Sequence, residues 1–246
     1  MDTPSRTQWT ACRGTISGTV PTRAIVFDLD GVLIESEGVW DAARAEVARE
    51  HGGRWRDDAQ RAMMGMSAPE WSAYMHDELG VRLAPEQISN EVVSRLGRLY
   101  REHVPILPGA REAVISLAEA WPLALASSAN RPIIDLVLDL TGLERCFEAT
   151  VSSEEVTRGK PAPDVYLEAA HRVRALPERC IAVEDSSNGI RSAAAAGMTV
   201  VAVPNREFPP SEQALLLAAD VVESVTRLDP ARVGRLMGAT AGDSRE

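Results

Sequence analysis

One stretch near the amino terminus constrains the fold more than any other, residues 24–33, which read Ala-Ile-Val-Phe-Asp-Leu-Asp-Gly-Val-Leu. Its leading apolar residues show no polar alternation, which is typical of a strand buried on both faces of a parallel sheet. Carboxylates such as Asp28 and Asp30 are unfavourable there unless a partner compensates for their lost hydration. A hard divalent cation prefers oxygen ligands, and Gly31 lets the backbone turn closely around a ligand. The stretch therefore predicts a ligand-binding turn at the carboxyl end of a buried strand; an ordinary surface turn is the alternative.

The chain after residue 105 alternates regularly between apolar runs that predict strands and segments of helical spacing. The predicted strands are 122–127, 148–152, 180–183, 198–203 and a short edge strand at 220–222; the predicted helices are 110–120, 132–140, 164–174 and 188–196. Repeated strand–helix units imply a parallel sheet with helices on both faces. The fold class predicted from this pattern is α/β.

The segment 36–104 differs from the rest because its pattern is helical and it contains no run that reads as a buried strand. Its first helix is predicted over 39–51 and ends at a glycine pair, which is a common helix stop. We therefore predict an all-helical insert, 36–104, within an α/β core formed by 23–35 and 105–238. A polar tail, 1–22, precedes the core, and a short tail, 239–246, follows it.

Composition narrows the range of functions. The net charge of −10 over 246 residues argues against a nucleic-acid binder, although a bound cation could still attract an anionic substrate. No apolar run suits a secretory signal or a membrane span, so we expect a cytoplasmic protein without a membrane partner. Cys12, Cys146 and Cys180 form no C-x-x-C pair, which indicates a reducing compartment and neither disulfides nor a zinc site.

Polar groups follow four of the predicted strands. They are Asp28 with Asp30, then Ser127, then Lys160, and finally the pair Glu184-Asp185. Phosphoryl transfer needs positioning, charge neutralisation and an aligned nucleophile, and a carboxylate can serve as that nucleophile. A hydroxyl and an ammonium group can hold phosphoryl oxygens, while carboxylates can hold a magnesium ion. The set of groups therefore predicts chemistry on a phosphate ester.

The order of these stretches resembles the haloacid dehalogenase superfamily, in particular its branch of β-phosphoglucomutases and sugar-phosphate phosphatases. The resemblance extends from about residue 23 to 222. Its four motifs here are Asp28-Leu29-Asp30-Gly31-Val32, Ala126-Ser127-Ser128, Gly159-Lys160-Pro161-Ala162-Pro163-Asp164 and Val183-Glu184-Asp185-Ser186. The resemblance implies a Rossmann-like core, with the helical insert acting as a cap that closes over the site and excludes water.

The resemblance also implies roles for the acidic residues. Asp28 is expected to be the nucleophile and a magnesium ligand. Asp30 is expected to protonate the leaving alkoxide and then to activate water, with its backbone carbonyl on the metal. Asp185 completes the protein ligands, and Glu184 either ligates the ion directly or supports those ligands from behind. The implied cofactor is Mg²⁺.

Three further residues are expected to bind the substrate. Ser127 and Lys160 are implied to hold the phosphoryl group, and Asn130 to reach the substrate nearby. Lys160 also counters the negative charge around the nucleophile.

The choice of reaction within the superfamily depends on a few positions. Asp30 favours phosphate chemistry, because the superfamily's dehalogenases lack an acid/base residue there and need no metal. β-Phosphoglucomutases carry a His where this chain has Trp40, and an Arg that grips a second phosphate where it has Ala68. We therefore favour a phosphatase for a small phosphorylated metabolite, a sugar or polyol phosphate. The resemblance implies a monomer, and Trp40, Met66 and Trp71 are expected to form an aromatic or apolar wall beside the substrate. A phosphomutase and a non-catalytic binding protein of the same fold are the alternatives.

Overall fold

A computed structural model describes residues 23–64, 66–206 and 208–239. The predicted tail 1–22, with Cys12, lies outside these residues, as does the predicted tail 239–246 beyond Ala239. Within the described ranges, no helix combines the length and the apolar character needed to cross a bilayer.

The centre of the molecule is a six-stranded sheet in which neighbouring strands are all parallel. In chain order the strands are β1 (Ala24–Phe27), β2 (Leu123–Ser127), β3 (Ala149–Ser152), β4 (Cys180–Glu184), β5 (Thr199–Ala202) and β6 (Asp220–Val221). Across the sheet the order is β3-β2-β1-β4-β5-β6, the doubly wound arrangement whose ligands bind where the strand order reverses. The predicted α/β, Rossmann-like parallel sheet is confirmed.

The alternation of side chains along β1 explains why both faces of the sheet are covered. Ile25 and Phe27 join one apolar cluster, whereas Ala24 and Val26 join another on the opposite face. All four residues are fully buried. This double burial is the reason that β1 reads as an unbroken apolar run in the sequence.

Ten helices of four or more residues occur in the described part of the chain. They are α1 (Glu37–Glu50), α2 (Ala59–Met63), α3 (Ala68–Asp77), α4 (Pro85–Glu102), α5 (Ala110–Ala118), α6 (Arg131–Thr141), α7 (Asp164–Arg172), α8 (Ser187–Ala195), α9 (Glu212–Leu215) and α10 (Pro230–Ala239). The helices predicted at 39–51, 110–120, 132–140, 164–174 and 188–196 correspond to α1 and α5–α8. The helices α9 and α10 were not predicted from the sequence.

The segment between β1 and β2 is helical, with α1–α4 packed together. The longest of these helices, α4, lies against α1, α3 and the core helix α6, so it joins the insert to the rest of the molecule. Arg95 of α4 pairs with Glu46 and Glu50 of α1 and with Glu91 of its own helix. The boundary of a separate cap at 36–104 stays a prediction.

Candidate active site

The topology brings the ends of β1, β2 and β4 to one edge of the sheet, since these three strands are neighbours. Asp28 follows β1 directly, and its backbone N–H donates to the carbonyl of Val183 at 3.0 Å. Glu184 is the last residue of β4, with Asp185 next in the chain. Three acidic residues predicted from two separate motifs therefore lie together.

The carboxylates of Asp28, Glu184 and Asp185 each offer an oxygen within 4.8 Å of the other two. All three residues are buried. Burial raises the pKa of Asp28 to about 8, against the opposing charge of Lys160, and nearby carboxylates add to the rise. Burial, followed by the charges of Glu184 and Asp28, also raises the pKa of Asp185 well above its usual value. Crowded carboxylates of this kind fit a hard divalent cation, whose charge would replace the protons.

Glu184 is held by more partners than the other two carboxylates. Its Oε1 accepts from Lys160 Nζ at 2.6 Å and from the Tyr166 hydroxyl at 2.9 Å. Its Oε2 accepts from the backbone N–H groups of Asp185, at 3.0 Å, and Ser186, at 3.1 Å. Both oxygens are therefore engaged already, which suits a residue that positions its neighbours.

Lys160 supplies the positive charge at this edge. Besides its bond to Glu184, Nζ lies 3.0 Å from Asp28 Oδ1, which is an ion-pair distance. The geometry is not that of a well-directed hydrogen bond, so Asp28 Oδ1 has no hydrogen-bond donor among the described residues. Burial alone disfavours the ammonium charge, but the carboxylates of Asp28 and Glu184 outweigh burial and raise the pKa of Lys160. Lys160 therefore stays charged and leaves Asp28 Oδ1 with an open lone pair.

Asp30 is oriented by the beginning of the insert. Its Oδ1 accepts a short hydrogen bond from the Ser36 hydroxyl and another from Trp40 Nε1 at 3.2 Å. Burial raises the pKa of Asp30, and these two hydrogen bonds oppose the rise. A raised pKa favours the protonated form, which can donate a proton.

Ser127 and Asn130 do not line the cavity that contains Asp28, Asp30, Lys160 and Asp185. Ser127 is fully buried, and its hydroxyl accepts from the Ala129 backbone N–H at 3.0 Å. Its neighbour Ser128 lines the cavity instead.

Asn130 lies at a different cavity, between the helical insert and the core. Its side-chain amide donates to Ser89 of α4 at 3.2 Å and to Glu154 at 2.7 Å. The structure therefore connects Asn130 to α4 and does not bring it to the carboxylates. Its expected contact with substrate stays a prediction.

The insert supplies the other side of the cavity. Trp40, Met66 and Trp71 line it, at the positions expected to form an apolar wall. Glu37 and Arg44 also line it, and neither residue was predicted from the sequence. A signal was present for Arg44, because it falls on the buried face of α1 among apolar residues, where a cation needs a reason to be buried.

A doubly wound sheet with buried carboxylates and a lysine at its carboxyl edge defines a Rossmann-like protein with a candidate cation site at that edge. A model of the haloacid dehalogenase-like hydrolase family matches residues 22–197. The chain belongs to this family, so the resemblance and the assignment as a hydrolase are both confirmed.

Known proteins similar to this chain agree with the family. Hexitol phosphatase B of Escherichia coli K12 is 33% identical over 222 residues, covering 83% of this chain and 93% of that protein. The bifunctional riboflavin kinase/FMN phosphatase of Arabidopsis thaliana is 30% identical over 200 residues, which is 80% of this chain but only 52% of the Arabidopsis protein. The crystal structure of a β-phosphoglucomutase from Clostridium difficile superposes with a TM-score of 0.77 at 24% identity, covering 89% of this chain and 99% of that one. The last likeness shows the fold.

Proposed function

We propose that the protein is a magnesium-dependent phosphatase that hydrolyses a small phosphomonoester, a sugar or polyol phosphate, through an aspartyl-phosphate intermediate. The observation that carries the proposal is the position of Asp28, which lies beside a charged lysine and two carboxylates and shares its cavity with Asp30. The similarity to hexitol phosphatase B over most of both chains supports the choice of substrate class.

The donor set fits Mg²⁺, since every candidate ligand is an oxygen. Asp28 and Asp185 would hold the ion with their side chains, and the backbone carbonyl of Asp30 is the expected third ligand. Glu184, with both oxygens engaged, would fix the position of these groups. When bound, the ion would neutralise charge on the phosphoryl oxygens and on the nucleophile.

In the first step a carboxylate oxygen of Asp28 attacks phosphorus, and the bond from phosphorus to the leaving oxygen breaks. Asp30, in its protonated form, gives its proton to that oxygen, so that an alcohol leaves. Lys160 balances the added charge of the phosphoryl group. Proton delivery of this kind is typically worth about 10²–10⁴-fold in rate.

In the second step water attacks the phosphorus of the aspartyl-phosphate, and the bond between phosphorus and the Asp28 oxygen breaks. Asp30, now a carboxylate, takes a proton from the water, which restores both residues and releases inorganic phosphate. The hydrogen bonds from Ser36 and Trp40 hold the Asp30 carboxyl in one orientation, which suits a residue that acts in both steps.

Phosphomutase action is the second candidate function, favoured by the common fold with β-phosphoglucomutase. Trp40 occupies the position at which a histidine is expected in such mutases, and its indole N–H is committed to Asp30. Hydrolysis is therefore the better-supported reaction.

The test is hydrolysis of 4-nitrophenyl phosphate with Mg²⁺ and, separately, after chelation. We expect turnover that needs the metal, and a loss to below about a thousandth in Asp28→Asn, because the nucleophile is gone. Asp139→Asn, an exposed aspartate on α6, is the matched control and should retain activity. Turnover by Asp28→Asn at the wild-type rate would exclude the mechanism, and conversion of β-glucose 1-phosphate to the 6-phosphate without free phosphate would favour the mutase.

A further inference from the structure

A buried arginine of the insert lines the cavity that contains Asp28 and has few hydrogen-bond partners of its own. Arg44 lies on α1, is only 5% exposed, and lines the same cavity as Asp28 and Asp30. Its guanidinium carbon lies 4.6 Å from the ring centre of Trp40 and 5.0 Å from that of Trp71. Burial lowers the pKa of Arg44 to about 10, so the group is still charged at neutral pH.

The hydrogen-bonding capacity of Arg44 is largely unused. A guanidinium has five N–H donors, of which Nη1 donates to Gln60 Oε1 at 3.1 Å. The buried Nε–H has no partner. Among the described residues, no carboxylate lies within ion-pair distance of Arg44. A buried cation without a full set of partners is unfavourable, so a bound molecule with acceptor oxygens would improve its environment.

Gln60 ties this arginine to an acidic residue in the same cavity. Its side-chain carbonyl accepts from Arg44, while its amide donates to Glu37 Oε2 at 2.5 Å. Glu37, the first residue of α1, also lines the cavity. The Arg44 guanidinium, which can only donate hydrogen bonds, and the Glu37 carboxylate, which can only accept them, thus line one cavity. Gln60 holds both groups, and their opposite charges compensate each other.

On the basis of the proposed phosphatase function, we infer that Arg44 and Glu37, held by Gln60, bind hydroxyl groups of the leaving alcohol. They would thereby select phosphate esters whose alcohol is uncharged and carries several hydroxyl groups. A hydroxyl both donates and accepts, so neighbouring hydroxyls can accept from Arg44 and donate to Glu37. The tryptophan rings offer apolar surface to the C–H groups between those hydroxyls. A second phosphate on the substrate would instead meet the carboxylate of Glu37.

The test compares leaving groups. We would measure kcat/KM for a hexitol 6-phosphate, for 4-nitrophenyl phosphate, whose leaving group has no further hydroxyl, and for a hexose bisphosphate. We expect Arg44→Met to lower kcat/KM for the hexitol phosphate about 10–100-fold more than for the aryl phosphate, the range for lost hydrogen bonds to a charged group. Glu37→Gln should also lower kcat/KM for the hexitol phosphate more than for the aryl phosphate, and it should raise kcat/KM for the bisphosphate.

Two further variants keep the result interpretable. Arg49→Met removes an exposed arginine from the same helix and should leave the ratio between substrates unchanged. Arg44→Lys keeps the charge but loses the planar arrangement of donors, so we expect an intermediate loss of kcat/KM for the hexitol phosphate. Thermal melting would show whether Arg44→Met is folded, and if it is not, Arg44→Lys still tests the inference.

Equal losses on the hexitol and aryl phosphates would make Arg44 a purely structural residue and overturn the inference while leaving the phosphatase intact. A wild-type preference for the bisphosphate that Arg44→Met abolishes would identify a second anion site and overturn it too. No hydrolysis of the aryl phosphate by the wild type would end the proposed function, and the inference with it.

Discussion

A methyl group added at Gly31 would test the placement of the metal site directly. Gly31 has φ +72°, and a Cβ built there would lie 1.9 Å from Oδ2 of Asp185 and 2.4 Å from its Cγ. Carbon and oxygen normally approach no closer than roughly 3.5 Å. In Gly31→Ala, therefore, the Asp185 carboxylate must move by more than about 1 Å, away from the position in which it faces Asp28.

Two effects of different size follow from this substitution. The left-handed backbone costs about 1–2 kcal/mol with a side chain present, which lowers the melting temperature of a domain of this size by about 2–8 °C. The displaced carboxylate costs catalysis much more, on the order of 10²-fold in kcat/KM, because reacting groups tolerate little misplacement. Magnesium affinity should fall with it, since oxygen ligands must sit within about 0.2 Å of their ideal distance.

Gly197→Ala separates the two effects. Gly197 has φ +81°, and a Cβ there would meet nothing within 4 Å, so this variant has the backbone strain without the collision. We would measure melting temperature, Mg²⁺ binding by calorimetry and 4-nitrophenyl phosphate hydrolysis for both variants. We expect the two variants to have similar melting temperatures. Only Gly31→Ala should lose activity and Mg²⁺ binding. Equal activity and equal Mg²⁺ binding in the two variants would refute the assignment of Asp185 to the site.

Three other predictions concern charge and the insert. Because the pKa of Asp28 is raised to about 8 in the folded protein, the folded state binds more protons than the unfolded state between about pH 4 and pH 8. The metal-free protein should therefore lose stability as pH rises through this range, by up to about 1.4 kcal/mol per pH unit for each proton bound only in the folded state. Urea denaturation at several pH values should show this slope, and a flat profile would contradict it. Lys160→Met leaves buried carboxylates without their counter-ion and should cost about 3–5 kcal/mol in urea denaturation without metal, where an unchanged midpoint would count against the ion pair. Asn130→Ala should cost roughly 2–4 kcal/mol, from the lost bonds to Ser89 and Glu154, and leave the ratio between substrates unaltered; an altered ratio in the kinetic assay would instead support contact with substrate.

The positions of the acidic residues could be predicted from the sequence because they depend on strands alone. A run buried on both faces is recognisable without any partner, and the carboxyl ends of neighbouring parallel strands must share an edge. Asp28 and Asp185 meet for that reason, since they follow the neighbouring strands β1 and β4.

The surroundings of Ser127, Asn130 and Arg44 could not be predicted from the sequence, because they depend on side-chain direction and on contacts between distant segments. Ser127 and Asn130 follow the correct strand, but the turn after β2 sends one hydroxyl inward and one amide towards α4. Arg44 reaches the cavity of Asp28 only through the packing of the insert, where Gln60 accepts its hydrogen bond. Periodicity along one helix does not reveal which surface of the core that helix will cover.

The first helix of the insert has a consequence for how this enzyme could change. Ser36 and Trp40, at its start, orient the proposed proton donor, while Glu37 and Arg44, within the same few turns, line the cavity in which we propose that the leaving alcohol binds. Substitutions on α1 that change which alcohol is accepted therefore also affect the residues that orient Asp30, the group proposed to protonate that alcohol. Altered selectivity along this helix should come with altered proton transfer, and divergence towards new substrates should proceed more freely through α3, which contributes Trp71.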